Sequence, residues 1–263
     1  MVIVSPFSDI YRNLAFEDLL FRSYGGEGRL LLLYVNRPSV VIGRFQNPWA
    51  EADLKLLDAE GCLLARRISG GGAVYHDGGN LNFSLFSSRN DFDRADNIGM
   101  VSRILTGLGI GVRFNERMDI TLAGKKISGS AYRILKTKAY HHGTLLIDAD
   151  LAKARECLRP SYEGIESRGV KSVPSPIVNI RDLFPDMTVE RVISAFAEDR
   201  LFFGGDAVFS LPSEDELDGR EQDLRASAWI FGKTPAFAVA LEGRSVVFQA
   251  GQMPGEDGFS LPL

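Results

Sequence analysis

The chain has 263 residues, 45% hydrophobic and 24% charged, with a formal net charge of −4 at pH 7. That length and balance describe a globular protein with room for one large core, and the negative charge excludes a bulk attraction to nucleic acid or to an anionic membrane. Any basic site is therefore local.

The longest uninterrupted apolar runs, Leu30 to Val35 and Ala236 to Leu241, fall well short of the ~20 residues a membrane span needs. The N-terminal MVIVSPFSD carries no basic segment ahead of an apolar stretch, so no secretory signal is expected. Cys62 and Cys157 stand alone, without metal-ligand or CxxC spacing, which fits a reducing cytoplasm and two small buried hydrophobes.

Ser8 or Asp9 is placed to cap a helix running to about Tyr24, with Leu14 and Phe21 on its apolar face and Gly25, Gly26 and Gly28 to end it. Leu30–Val35 and Ser39–Gly43 read as two strands around Asn36-Arg37-Pro38, each buried on both faces. Pro48 opens a second helix through about Glu60, stopped by Gly61. A strand from Cys62 delivers the chain into RRISGGGAVYHDGGN (Arg66 to Asn80), and Leu81–Phe86 alternates like a strand leaving it. Asp93 to Leu108 reads as a third helix.

The run MDITLAGKKISGSAYR predicts a hairpin turning at Gly124, then a small-residue loop at Ser128, Gly129 and Ser130. Tyr140–Ile147 reads as a strand, Asp150–Leu158 as a short helix limited by Pro160, and Thr188–Arg200 as the last substantial helix. Pro174 and Pro176 mark an irregular stretch, and Ser213–Arg225 is acidic enough to be left exposed. Strands and helices interleave without a regular βαβ period, so the expected class is α/β of the α+β type, a mixed sheet flanked by helices.

The chemistry concentrates in the glycine-rich stretch. Gly70, Gly71 and Gly72 allow backbone N–H groups to approach an anion closely, with two arginines before them and the apolar Ala73, Val74 and Tyr75 after. The alternative is a glycine-rich hairpin with a solvated arginine pair. Lys126 again sets a cation beside small residues, suited to bridging a phosphate and a carboxylate, or else solvated on a hairpin. His76 and Asp77 are candidates for acid/base work or for capping a turn, while His141 and His142, adjacent on a strand, point to opposite faces and cannot share a metal ion. No metal site is expected. Gly232-Lys233-Thr234 fails as a P-loop, because Ser227 stands where its first glycine belongs, and Tyr75 breaks a dinucleotide-type GxGxxG.

These blocks together resemble the lipoate-protein ligase and lipoyltransferase family, more distantly the biotin ligases. The resemblance rests on Arg66 to Asn80, on KKISGSAYR with YHHGTLL (Lys125 to Leu146), on VVIGRFQNP (Val40 to Pro48) and on WIFGKTPAF (Trp229 to Phe237). It implies a biotin/lipoate ligase-like catalytic domain over 1–237, with 238–263 a short tail in place of a full accessory domain. It implies that Arg67, Lys126 and the Gly72, Ala73, Val74 and Tyr75 backbone hold ATP or the acyl-adenylate. Lys126, Arg67, Ser69 and His76 would bind lipoate, Lys126 being catalytic and Asp119 linked to magnesium.

The implied reaction is two-step. Lipoate and ATP give lipoyl-AMP and pyrophosphate, and a lysine of an acceptor domain then attacks the mixed anhydride. No enzyme nucleophile is needed, and FNERMD (Phe114 to Asp119) lacks the cysteine of related octanoyltransferases. Met118-Asp119 replaces the Asn-Asp usual in the bacterial ligases. The implied partners are lipoyl domains of 2-oxoacid dehydrogenase complexes or the glycine cleavage H protein, with a separate accessory subunit as a further one, and the expected location is cytoplasmic. Alternatives within the same pocket are a transferase using preformed lipoyl-AMP, half of a split ligase, an enzyme taking octanoate, and a non-catalytic adenylate-binding module.

Overall fold

The computed structural model describes residues 1–162, 164–199, 206–241 and 244–251. Strand β1 (Val2–Val4) leads into helix α1 (Ile10–Ser23), capped by Asp9, whose carboxylate accepts the Tyr11 and Arg12 amides. Strands β2 (Leu30–Val35) and β3 (Ser39–Ile42) follow where expected, yet they do not pair with each other. The intervening turn carries the chain from one sheet to another. The expected second helix is two, α2 (Pro48–Glu51) and α3 (Leu54–Ala59). Ala52 is extended, and Asp53 starts a new helix by accepting the Leu56 amide.

Next come β4 (Leu63–Arg66), β5 (Val74–His76), β6 (Asn80–Ser88) and α4 (Arg94–Gly107). The hairpin region contains β7 (Arg113–Phe114), β8 (Ile120–Leu122) and β9 (Lys125–Lys126), with Ala123 and Gly124 both at positive φ in the turn. Ser128, Gly129 and Ser130, expected as a loop, begin strand β10 (Ser128–Ile134), because β11 (Lys138–Leu146) supplies a full ladder for their backbone. The chain continues through α5 (Leu151–Cys157), β12 (Glu166–Ser167), α6 (Val189–Glu198), α7 (Glu214–Arg225), α8 (Ser227–Ile230), β13 (Phe237–Leu241) and β14 (Arg244–Phe248).

Among the described residues the strands form four sheets, the largest in the order β1-β2-β6-β11-β10. β1 runs parallel to β2 and the rest are antiparallel, so the sheet is mixed as expected. Strand β2 is apolar throughout because both of its faces are covered. Leu31 and Leu33 join a core with α4 and α6, while Leu30, Leu32 and Tyr34 pack with α1 on the other side. A third core gathers around Trp49 and includes Phe237 and Phe248 of the last hairpin, their rings 4.8 Å apart. The segment read as a tail thus begins inside a packed hairpin, and its residues 252–263 lie outside the described residues.

The acidic stretch expected to stand exposed is the helix α7. A capping box between Ser213 and Glu216 starts it, and Leu217 and Leu224 are buried against α1. Its carboxylates find cations across the interface, Arg12 pairing with Glu214, Asp218 and Glu221. Glu214 and Asp218 remain exposed, as composition implied, and what composition does not show is that Arg12 of α1 pairs with them. No helix among the described residues is long and apolar enough to cross a membrane.

Candidate functional site

One row across the main sheet and half of the next, His142 with Ala131, line a cavity. The ladder sets Tyr34, Asn82, Thr144 and Gly129 side by side in one row, and Leu32, Ser84, His142 and Ala131 in the next. Alternation does the sorting: Leu81, Phe83 and Leu85 of β6 enter the core, so Asn82 and Ser84 face the other way. The cavity has a volume of about 360 Å³, with Leu14, Val41, Ala73 and Val74 adding apolar wall. A second cavity of about 1150 Å³ adjoins it. The two share Ala73, Val74, Lys126, Gly129 and Thr144 as lining.

The glycine loop arches over this junction. Gly71 lies at φ +92°, and a Cβ placed on Gly43 would stand 2.2 Å from the Gly71 carbonyl oxygen. The VVIG block therefore ends on glycine to let the loop seat. Arg67 shapes it from within, donating to the carbonyls of Val41, Gly70 and Gly72 at 3.0, 2.7 and 2.7 Å. Burial draws its pKa down to about 10, leaving the guanidinium charged beside the cavity it lines. Arg66 is fully buried and donates to the carbonyls of Gly43, Arg44, Gln46 and Ile230 and to Thr234 Oγ1. Trp229 Nε1 donates in turn to the Arg66 carbonyl. The WIFGKTPAF block thus clasps the strand that delivers the loop.

Lys126 is half-buried at the meeting of the cavities, its Nζ 2.7 Å from Asp119 Oδ1. Its backbone is gripped on two sides, by Thr121 across the hairpin and by Pro176 and Val178, which bond its N–H and carbonyl. The irregular proline stretch is therefore a strap over both cavities. Ser172 anchors it to the loop: its Oγ donates to Glu51 and accepts the Ala73 amide at 2.8 Å. Burial pushes the Glu51 carboxyl above its ordinary range despite the Ser172 contacts.

Beneath the loop lies a buried polar network. His142 Nδ1 is 2.9 Å from Glu17 Oε1, and His142 Nε2 is 2.7 Å from Ser69 Oγ. Burial alone would raise the Glu17 carboxyl, yet His142, Ser84 and the Arg67 charge outweigh it and hold the group below its ordinary value. The connectivity is that of a serine–histidine–acid triad. Ser69, however, lines neither cavity and also accepts from Arg67 Nε, so it ties the loop to the sheet and has no access as a nucleophile. His76 lines the smaller cavity, and burial, with the charges of Arg67 and His142, pushes it down to about 3. Asp77 caps turns, accepting the Gly79 and Asp150 amides.

Of the residues singled out from sequence, Arg67, Gly72, Ala73, Val74, His76, Asp119 and Lys126 line the smaller cavity and Tyr75 lines the larger. Ser69 stands behind them. His141 and His142 do point to opposite faces, His141 into ring contacts with Phe83 and Tyr132. Sequence reading missed Glu17, Asn82, Thr144 and Ser172. Glu17 lies on the amphipathic first helix, and its partner His142 is 125 positions away in sequence.

The model of the lipoyl protein ligase A/B catalytic domain matches residues 9–199. The chain belongs to this family. It is 37% identical over 250 residues to the human mitochondrial lipoyl amidotransferase LIPT1, covering 91% of this chain and 67% of that protein. It is 39% identical over 267 residues to a putative lipoate-protein ligase A of Schizosaccharomyces pombe, covering 92% and 73%. Among solved structures, P. falciparum LipL1 in complex with lipoate superposes with a TM-score of 0.76 at 26% identity, over 97% of this chain and 82% of that one. A lipoate-protein ligase A bound with ATP superposes with a TM-score of 0.66 at 27% identity, over 85% and 91%. The fold is that of the lipoate ligases, as the four sequence blocks implied.

Proposed function

We propose that this family member is a lipoate-protein ligase, which joins lipoate to ATP as lipoyl-AMP and passes the lipoyl group to a lysine of an acceptor lipoyl domain. The observation that carries the reading is Lys126, which lines both cavities at their junction. A carboxylate lying in the smaller cavity and a phosphate in the larger would meet at this ammonium. Two anions repel and a carboxylate is a poor electrophile, so a fixed cation with converging N–H donors supplies what the reaction lacks.

In the first step a lipoate carboxylate oxygen bonds to the α-phosphorus and the bond to pyrophosphate breaks. In the second, the neutral acceptor amine bonds to the acyl carbon, AMP leaves with the electron pair of the C–O bond, and the amine's surplus proton passes to the departing phosphate or to water. Arg67, Ser69, His76 and Lys126 are assigned to the lipoyl side, Ser69 through the network behind the wall. Arg67, Lys126 and the backbone of Gly72, Ala73, Val74 and Tyr75 are assigned to the nucleotide. Ser172 Oγ occupies the Ala73 amide that an adenylate oxygen would take, so the strap must yield that bond. One carboxylate plus phosphate oxygens is a common magnesium donor set. Asp119 would have to share an oxygen now held by Lys126 or Asn115 to take that role for magnesium arriving with ATP, where the ion would screen the phosphate charges.

We place the catalytic unit at 1–237 together with the β13–β14 hairpin that packs into its Trp49 core, and the protein in the cytoplasm. Acceptors are lipoyl domains of 2-oxoacid dehydrogenase complexes or the glycine cleavage H protein. Similarity to a lipoyl amidotransferase favours a second reading, transfer from preformed lipoyl-AMP or activation with a separate accessory subunit. Pyrophosphate release by the chain alone, given lipoate and Mg-ATP without acceptor, separates the two. Release that Lys126→Ala abolishes supports the complete ligase. No release, with transfer from supplied lipoyl-AMP, supports the second reading.

A further inference from the structure

Asn13 Nδ2 lies 3.0 Å from the Phe7 carbonyl oxygen and 2.8 Å from Asn36 Oδ1. A backbone carbonyl only accepts, so the amide nitrogen of Asn13 must face it, and Asn13 Oδ1 accepts from Ser5 Oγ at 2.6 Å. Asn36 Oδ1 is thereby engaged as an acceptor. That turns Asn36 Nδ2 toward His76 Nδ1, 3.0 Å away. A ring nitrogen that receives an amide N–H carries no proton, so the neutral ring is protonated at Nε2. His76 Nε2 is buried without a protein partner, and the ring lines the smaller cavity. Asn13, Asn36 and His76 are themselves 0%, 1% and 4% exposed, so water does not reset the order.

We infer that Asn36 is a positioning residue that fixes His76 as the Nε2–H tautomer, giving the acyl cavity a buried hydrogen-bond donor without a protein partner, beside the apolar wall of Leu14, Val41, Ala73 and Val74. The cavity then discriminates between acyl chains by what they offer that donor. This selectivity rests on the proposed reading of the cavity as the lipoyl site. A ring sulfur of lipoate can accept, if weakly, whereas a plain alkanoate such as octanoate fills the apolar wall and leaves the buried N–H unsatisfied.

Long-range proton–nitrogen NMR spectra of the full chain, labelled at histidine and free of ligand, read the tautomer directly. The expected result for His76 is an unprotonated Nδ1 and a protonated Nε2. Asn36→Asp offers only acceptors at the same place and is expected to draw the proton to Nδ1 and make the ring titrate at higher pH. Calorimetry with lipoate and with octanoate reads the consequence. The ratio of the two affinities is expected to fall by about threefold to tenfold in Asn36→Asp and in His76→Phe, mostly through lost lipoate binding. A wild-type His76 protonated at Nδ1 overturns the tautomer, and this spectrum needs no variant to fold. An unchanged ratio in His76→Phe overturns the selectivity. If the wild-type chain binds neither acid, the lipoyl reading of the cavity falls and the selectivity with it, while the spectrum still decides the tautomer.

Discussion

Lys126 Nζ and Asp119 Oδ1 stand 2.7 Å apart at the junction of the two cavities, and Asp119 Oδ2 accepts from Asn115 Nδ2 at 3.0 Å. The carboxylate therefore has a fixed side and holds the lysine by the other. An ammonium on a flexible four-carbon stem is a point charge that needs such a hold to act as a preorganised group.

Lys126→Ala is expected to lower the turnover of lipoyl-AMP formation by about 10²–10³, the usual cost of one preorganised charge-stabilising donor. Asp119→Asn is expected to cost about 10² by letting the ammonium drift. The double variant is expected to be no worse than Lys126→Ala, because the two act as a unit. Pyrophosphate release across the four proteins checks this, and additive losses would contradict it.

Gly43→Ala is expected to damage activity far more than stability. Its Cβ meets the Gly71 carbonyl at 2.2 Å, so the glycine loop must shift while the cores stay packed. A misplacement of this size costs about 10² in rate. Steady-state kinetics beside an unchanged far-ultraviolet circular dichroism spectrum would bear this out.

Arg66→Met is expected to destabilise the fold by at least ~3 kcal/mol, since it strands the carbonyls of Gln46 and Ile230 in a dry interior. Arg66→Lys is not expected to rescue it, because a single ammonium cannot reproduce the planar fork. Urea unfolding at equilibrium measures both.

Stability is expected to fall as pH drops below about 6.5, the ordinary histidine value. Burial pushes His76 and His141 each down to about 3, so between these limits the unfolded chain binds protons that the folded chain refuses. Each ring then contributes a slope of roughly 1.4 kcal/mol per pH unit, with stability rising toward neutral pH. Glu17, held below its ordinary value, adds loss in the same direction once pH passes below 4.5. Unfolding free energies that stay level between pH 7 and pH 5 would refute this assignment.

Local chemistry was legible in the sequence wherever it acts over a few residues. Asp9, Asp93 and Thr188 cap their helices, Ala123-Gly124 turns a hairpin, and the glycine loop and Lys126 stand at the cavities. Periodicity also separated the two faces of β6, because alternation is a property of the strand itself. The tertiary structure alone decided that β2 and β3 belong to different sheets, that an acidic stretch docks on α1 through Arg12, and that Glu17 reaches His142 across 125 positions. It alone decided that Arg66 and Arg67, identical neighbours in sequence, do different work, one holding the segment around Ile230 and Thr234 and the other shaping the glycine loop. The reason is physical: capping and pleating are set by adjacent backbone, whereas the partner of a buried charge or amide is set by whichever distant segment the fold brings to it.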